Sequence, residues 1–236
     1  MPLTILLALA GIAFAAAPQK VSLKTADGWT LSADYIPPRR GRMVMVLAHG
    51  VGSSKQEWTR FAVRLSSAGA GSLAIDLRGH GESVKGPKGA RDFQDFDATG
   101  EWAKAAADLR AAAAWLEARG VKPSRIAFGG ASIGANLASQ VAAERPATPC
   151  LMLLSPGPDY RGVRLAARAG LRTLVAASPA DRYAYQTLKP FSKVKGTATL
   201  SAPRGHGVQV FDDAKTLESI VAWTARCART GGRSRR

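Results

Sequence analysis

Residues 125–145 have the sequence RIAFGGASIGANLASQVAAER, in which a short apolar run leads directly into a helical stretch. The run 125–129 predicts a strand that is buried on both faces, because it is mostly apolar and lacks regular polar alternation. Residues 133–145 predict a helix, and the pentapeptide Gly130-Ala-Ser-Ile-Gly134 joins the two elements without a loop. A strand that passes straight into a helix in this way is typical of an α/β sheet.

The same alternation of strand and helix extends in both directions from this segment. Further predicted core strands are 43–48, 72–76, 151–154, 171–177 and 197–201, and further predicted helices are 56–68, 99–119 and 213–229. This order predicts a doubly wound α/β fold with a mostly parallel sheet. At the N-terminus, two alternating segments flank Ala26-Asp27-Gly28 and predict an antiparallel hairpin between Val21 and Ile36.

The length and composition of the chain indicate one globular domain, placed at 18–229. The chain has 236 residues, of which 46% are hydrophobic. Residues 1–17 resemble a signal peptide, because Leu3 to Ala17 carries no charge and ends in small residues. Cleavage after Ala15 or Ala17 and export to the periplasm or the exterior are therefore expected. No Lys or Arg precedes the apolar run, so a buried first helix or an uncleaved anchor is the alternative.

The chain is strongly basic, with a formal net charge of +16. Such a surface favours weak association with anionic envelope surfaces. The basic residues are scattered from Lys20 to Arg236 and are not gathered with aromatic residues into a groove, so specific nucleic-acid binding is not expected. Residues 230–236 are rich in Arg, Gly and Ser and predict a flexible basic tail.

Ser132 is the candidate nucleophile. In open α/β sheets, reactive groups collect beyond the carboxyl ends of the strands, where the pentapeptide 130–134 is predicted to lie. Glycines two places before and after a serine allow a sharp turn that lifts its hydroxyl clear of the backbone. The following helix begins here, and its dipole favours developing negative charge.

The segment His49-Gly-Val-Gly-Ser-Ser54 ends the first predicted core strand and is the candidate oxyanion loop. The backbone N–H groups of Val51 and Ile133 are predicted to hold the oxyanion, because two preorganised donors stabilise a developing negative charge. His49 itself is expected to be a structural hydrogen-bonding residue.

His206 is the candidate base and Asp181 the candidate carboxylate that orients it. His206 lies between two glycines after the last predicted strand, and Asp181 follows the strand 171–177. The chain order Ser132, Asp181, His206 is the order used when the serine sits on this type of turn. Asp159 remains the rival carboxylate and His80 the rival base, although His80 is expected to be structural.

Together, these segments resemble the α/β-hydrolase superfamily from about Val21 to Ala228. The motifs that carry the resemblance are His49-Gly50, DLRGHGES at 76–83, GASIG at 130–134, an Asp after the next-to-last strand and the late His206-Gly207. The resemblance is closest to small bacterial esterases, lysophospholipases and dienelactone-hydrolase-like members, here with a serine nucleophile. Members with a lid insert a helical cap where this chain has only residues 155–170, so no large cap is expected.

The predicted function is hydrolysis of carboxylic esters or thioesters of small molecules through an acyl-enzyme. Activity should fall at acidic pH, because a protonated imidazole cannot act as a base. Two alternatives remain: a peptidase or amidase that uses the same residues, and a non-catalytic envelope-binding protein with this fold. Asp92, Asp95 and Asp97 lack the Gly and the closing Glu of a calcium loop, and no dinucleotide fingerprint appears, so no metal or cofactor is expected.

The chain has two cysteines, Cys150 and Cys227. In an oxidising compartment they could close a long loop as a disulfide. The alternative is that each is buried separately, Cys150 at the start of a core strand and Cys227 on the last helix.

Overall fold

The computed structural model describes residues 17–230. The predicted signal peptide (1–17) and basic tail (230–236) therefore lie almost wholly outside the described residues. Within the described part, no helix has the length and apolar character needed to cross a membrane.

The described chain alternates strands and helices from β3 onward. The strands are β1 Gln19–Lys24, β2 Thr30–Ile36, β3 Val44–Ala48, β4 Gly71–Ile75, β5 Lys85–Gly86, β6 Gly89–Ala90, β7 Ile126–Ala131, β8 Leu151–Leu154, β9 Asp159–Tyr160, β10 Val163–Arg164, β11 Thr173–Ala177 and β12 Thr197–Ser201. The helices are α1 Thr59–Ser67, α2 Phe96–Thr99, α3 Glu101–Lys104, α4 Ala106–Glu117, α5 Ile133–Glu144, α6 Arg182–Tyr185, α7 Leu188–Ser192 and α8 Ala214–Thr230.

The main sheet is mostly parallel, as predicted. Its order is β12-β11-β8-β7-β3-β4-β2-β5-β6, with β1 paired to β2. The pairs from β12 to β4 are parallel, whereas β2 pairs antiparallel with both β4 and β1. The predicted N-terminal hairpin is thus confirmed. It closes one side of a doubly wound α/β sheet with no large cap.

Side chains alternate between two cores along each central strand. In β3, Val44, Val46 and Ala48 join the core that contains the α4 and α5 side chains, whereas Met45 and Leu47 join the core under α1 and α8. Because both faces are covered by helices, β3, β4, β7 and β8 are buried throughout. This explains why these strands are mostly apolar rather than alternating.

The single helix predicted for 99–119 is wrong. In its place the structure contains α3 and α4, separated at Ala105, and Gly100 separates α3 from the preceding α2. Gly100 has φ 62°, a left-handed conformation that a continuous α-helix cannot contain. Trp102, Leu109 and Leu116 in this segment are all buried, as expected of the inner face of a helix.

Residues 155–170, where no cap was predicted, form a small antiparallel pair of strands. β9 pairs with β10 as a separate two-stranded sheet. Its chain lies over α5, because the side-chain amide of Asn136 donates to the carbonyl oxygens of Gly157 (2.9 Å) and Val163 (2.8 Å).

A buried cation anchors the loop that follows β4. Arg78 is 0% exposed, and its Nε donates to Oδ1 of Asp108 at 2.9 Å. Nη1 donates to Glu101 (2.6 Å) and to Asp27 (2.8 Å). Burial by itself would lower the pKa of Arg78, but the carboxylates of Asp108 and Asp27 raise that pKa above its usual value. The ion cluster therefore ties the predicted 76–83 motif to the N-terminal hairpin and to α3 and α4.

Cys150 and Cys227 are both buried in the core beneath α8. Within residues 17–230 no disulfide joins them, although the two side chains interact. Sγ of Cys227 donates to the carbonyl oxygen of Trp223 at 3.5 Å, and burial raises the pKa of the Cys150 thiol. The two residues are therefore neighbours, as the disulfide alternative requires, but both are thiols in the structure.

Candidate active site

Ser132 occupies a strained turn between β7 and α5. Its φ of 55° and ψ of −126° lie outside the usual regions for a residue with a side chain. A Cβ at Gly130 would lie 2.2 Å from the carbonyl oxygen of Gly134, and a Cβ at Gly134 would lie 2.4 Å from those of Ala48 and His49. Only glycine therefore fits at positions 130 and 134. This confirms the prediction from the pentapeptide that glycines are needed on both sides of the serine.

Ser132 and His206 line the same cavity, which has a volume of about 530 Å³. The residues around this cavity are Gly50, Val51, Ser53, Glu57, Ala131, Ser132, His206, Gly207, Val208 and Gln209. A Cβ at Gly207 would lie 3.3 Å from the Cβ of Ala131, so the histidine loop packs directly against the serine turn. The structure thus brings together two residues that are 74 positions apart in the sequence (206 − 132).

Asp181 holds His206 from the side of α6. The Nδ1 of His206 lies 2.6 Å from Oδ2 of Asp181, and Oδ1 of the same carboxylate accepts from the N–H of Ala184 at 3.4 Å. Because an ionised carboxylate can only accept, Nδ1 carries the proton and Nε2 is left as the acceptor nitrogen. This is the tautomer that a histidine needs in order to take a proton from a serine.

The histidine loop is also braced at its backbone. The N–H of His206 donates to Oε1 of Gln209 at 3.2 Å, and the ring of Tyr160 meets the imidazole edge-on with centroids 6.3 Å apart. The hydroxyl of Tyr160 donates to the carbonyl oxygen of Ser155 at 3.2 Å. The short β9–β10 segment therefore contributes one wall beside the imidazole.

The rival residues lie elsewhere. Asp159 accepts from the N–H of Gly162 at 2.8 Å and faces Arg164, and it makes no contact with a histidine among the described residues. His80 is buried, stacks on Phe93 with centroids 4.1 Å apart and does not line the cavity. Its Nδ1 donates to the carbonyl oxygen of Arg78 at 2.8 Å, so its role in the structure is to hold the 76–83 loop.

His49 has the structural role that was expected of it. Its Nδ1 donates to the carbonyl oxygen of Gly50 at 2.6 Å, and its Nε2 accepts from the N–H of Leu77 at 3.0 Å. Burial, together with the neighbouring His80, lowers the pKa of His49 to about 3, so the ring stays neutral. It links the candidate oxyanion loop to the loop after β4.

Val51 and Ile133 belong to the two backbone segments next to Ser132. Ile133 is the first residue of α5, and an N–H at this position has no acceptor within its own helix. Val51 lines the cavity, and a Cβ at the preceding Gly50 would lie 3.3 Å from the Cβ of Ser132. Both amides therefore belong to backbone that borders the serine.

A buried lysine fixes the candidate oxyanion loop. Lys55 is 2% exposed, and its Nζ donates to Asp76 at 2.7 Å and to Glu82 at 2.9 Å. Its backbone N–H also donates to Asp76 at 2.7 Å. Burial alone would lower the pKa of Lys55, but the two carboxylates raise it. The loop after β3 is thus locked to the loop after β4.

Sequence reasoning missed Glu57, Gln209 and Tyr160. Glu57 lies within the stretch predicted as a helix, where a carboxylate is expected to face solvent, and the structure places it in the cavity wall. Gln209 follows His206 in a segment without a recognisable pattern. The only available signal was the nearness of both residues to the loops singled out as reactive.

Comparison with known proteins gives one family match and two groups of relatives. Residues 45–233 match the model of the alpha/beta hydrolase family. An uncharacterized protein found in two strains of Mycobacterium tuberculosis is 33% identical over 143 residues, which is 59% of this chain and 46% of the relative. The chain therefore spans less than half the length of these curated relatives.

Several solved structures share the fold. A dienelactone hydrolase from Anabaena variabilis superposes with a TM-score of 0.64 at 20% identity, covering 89% of this chain and 97% of that one. A bacterial heroin esterase gives 0.65 at 18% identity, with coverages of 95% and 87%. An esterase from Pyrococcus furiosus gives 0.62 at 18% identity, with coverages of 96% and 99%. At these identities the likeness concerns the fold alone.

Proposed function

The chain belongs to the alpha/beta hydrolase family, and from this premise we propose that it cleaves carboxylic esters, or thioesters, of small molecules. Ser132 is the proposed nucleophile, His206 the base and Asp181 the carboxylate that orients the base. The amides of Val51 and Ile133 are proposed to hold the oxyanion. The observation that carries the proposal is the 2.6 Å contact between His206 and Asp181 at the wall of the cavity that also contains Ser132.

In the first step, Nε2 of His206 takes the proton of Ser132 as the hydroxyl oxygen attacks the ester carbonyl. The carbonyl oxygen becomes an oxyanion between the two amides, where preorganised donors lower the barrier by several kcal/mol. Asp181 stabilises the imidazolium that forms. The alcohol then leaves with the proton from His206, and the acyl group remains on Ser132.

In the second step, water replaces the alcohol and His206 acts as base again. Attack on the acyl-enzyme releases the acid and restores the serine hydroxyl. The lack of a large cap within residues 17–230 supports a small and accessible substrate, since no domain formed by these residues covers the cavity.

Asp181→Asn is expected to lower kcat by about 10³- to 10⁴-fold, because the amide stabilises the wrong tautomer of His206. Asparagine keeps an oxygen that can accept from the N–H of Ala184, so the start of α6 should remain intact. The measurement is steady-state hydrolysis of p-nitrophenyl acetate, butyrate and octanoate, with aminoacyl anilides as the comparison for amide cleavage.

Asp159→Asn is the matched control, because it makes the same chemical change in the rival carboxylate. Its oxygen can still accept from Gly162, and its ion pair with Arg164 is exposed and worth little. Activity within about twofold of wild type is expected. A large loss of activity in Asp159→Asn with none in Asp181→Asn would show that Asp159, and not Asp181, orients the base.

Export and weak association with anionic envelope surfaces complete the proposal. Both rest on the sequence, namely the uncharged run Leu3–Ala17 and the net charge of +16. Export is tested by comparing the mass of the mature protein with that expected for cleavage after Ala15 or Ala17, and surface association by measuring salt-dependent binding to anionic lipid vesicles.

A further inference from the structure

Glu57 is the one acidic residue among the ten that line the cavity containing Ser132 and His206. Apart from His206, the other lining residues are glycines, apolar residues, two serines and a glutamine. The cavity therefore holds a negative charge although the chain as a whole carries a net charge of +16. A local charge of this sign opposes the attraction that the rest of the surface exerts on anions.

The carboxylate of Glu57 is only partly satisfied. Its Oε2 accepts from the hydroxyl of Ser53 at 2.5 Å. Its Oε1 is shielded from solvent and has no side-chain partner among the described residues, and the backbone N–H of Gly50 lies near enough to the carboxyl to lower its pKa in part. Burial raises the pKa of Glu57, which shows that the ionised form is poorly solvated.

No basic side chain neutralises Glu57 within the described part of the chain. The nearest lysine in sequence, Lys55, is committed to Asp76 and Glu82, and Arg60 donates to the carbonyl oxygen of Phe211. A partly desolvated and unpaired carboxylate costs free energy that an entering cation would recover.

Glu57 also lies close enough to His206 for the two charges to interact within the same cavity. In the proposed reaction His206 protonates the departing oxygen, so the alcohol must occupy the space next to the imidazole. The charge of His206 acts on the carboxyl of Glu57, and residues 206–209 line the same cavity. A charged group on the alcohol would therefore be close to the carboxylate.

We propose that the cavity selects esters whose alcohol carries a cationic ammonium group and disfavours esters whose alcohol carries an anion, with Glu57 as the residue that determines this preference. The inference rests on the proposed ester hydrolysis and adds the charge class of its substrate. It gives Glu57 a binding function, distinct from the three residues proposed to carry the chemistry.

Three acetate esters of nearly equal shape test the preference. They are 2-(trimethylammonio)ethyl acetate, 3,3-dimethylbutyl acetate and 2-sulfonatoethyl acetate, which carry a permanent positive charge, no charge and a permanent negative charge. Acid release is followed at pH 8 and low salt, because alkaline pH favours the ionised form of a carboxyl whose pKa is raised by burial. In the wild type, kcat/KM is expected to be about tenfold higher for the cation than for the neutral ester, a difference of about 1.4 kcal/mol. The anion should be lower again.

Glu57→Gln should bring the three kcat/KM values to within about twofold of each other, because it removes the charge and keeps the shape. The matched control is Glu218→Gln on α8, which makes the same charge change at an exposed residue paired with Arg64. This control should keep the wild-type preference. The preference of the wild type should also shrink at high salt, since ions screen a partly exposed charge.

Three outcomes would overturn the inference: equal rates for the three esters in the wild type, an unchanged preference in Glu57→Gln, or an equal loss for all three esters in that variant. The last would mean that Glu57 only braces the loop through Ser53. If Glu57→Gln does not fold, the wild-type ratios and their salt dependence decide the question. If the protein hydrolyses p-nitrophenyl acetate but shows no preference among the three charged and neutral acetate esters, this inference alone is overturned. If it hydrolyses no ester at all, the proposed function itself is overturned.

Discussion

Ser132→Ala is expected to lower kcat/KM for p-nitrophenyl esters by about 10⁴- to 10⁶-fold, because it removes the atom that attacks the carbonyl. The remaining rate would come from the oxyanion amides and substrate binding alone. Alanine carries a Cβ, as serine does, so the backbone cost at φ 55° is unchanged and the fold should persist. The rates are measured by stopped and continuous assays over several hours, so that a small residual rate can be quantified.

Ser67→Ala is the control for this variant. Ser67 lies at the exposed end of α1, where its hydroxyl donates to the carbonyl oxygen of Val63. It should hydrolyse the esters at the wild-type rate. A Ser132→Ala protein with the wild-type melting temperature and more than a tenth of the wild-type activity would exclude Ser132 as the nucleophile.

Asp108→Ala is expected to destabilise the protein by about 3–5 kcal/mol, because it leaves the wholly buried Arg78 without its main partner. Asp108 also accepts from the backbone N–H of Arg78 at 2.8 Å, and that donor would be left unpaired too. Glu101 contacts a different nitrogen of Arg78, and Asp27 lies partly in solvent, so these two carboxylates can offset only part of this loss. The free energy of unfolding is measured by urea titration.

Glu144→Ala provides the comparison, because it removes one carboxylate from an exposed pair with Arg110. Exposed pairs contribute less than about 1 kcal/mol. Should both variants lose a similar small free energy, the cluster around Arg78 would not be the anchor of the loop after β4. A loss confined to Asp108→Ala would support that anchor.

The fold was largely predictable because burial leaves a strong pattern. β3, β4, β7 and β8 are covered on both faces, so they are mostly apolar and their positions were found to within one or two residues. The break in 99–119 was missed. A glycine can be tolerated in a helix, so the sequence did not show that the left-handed φ of Gly100 separates α2 from α3, nor that the helix breaks again at Ala105.

The candidate site was predictable where steric rules act over a few residues. The glycines around Ser132 and the glycines around His206 are local signals, and the structure places both residues at one cavity. Asp181 was predicted ahead of its rival Asp159, but only the folded chain shows which loop reaches the imidazole across the end of the sheet. Glu57 was missed for the same reason, since only the folded loop turns it towards the cavity.

Labelling with a fluorophosphonate probe tests most directly whether Ser132 is an activated nucleophile. Such a probe reacts with a serine whose proton is removed by a neighbouring base, and it needs no knowledge of the natural substrate. We expect the wild type to gain the mass of one probe on the peptide that contains Ser132, His206→Ala to react much more slowly, and Ser132→Ala to stay unmodified. A wild-type protein that remains unlabelled, or one labelled on a different serine, would contradict the account.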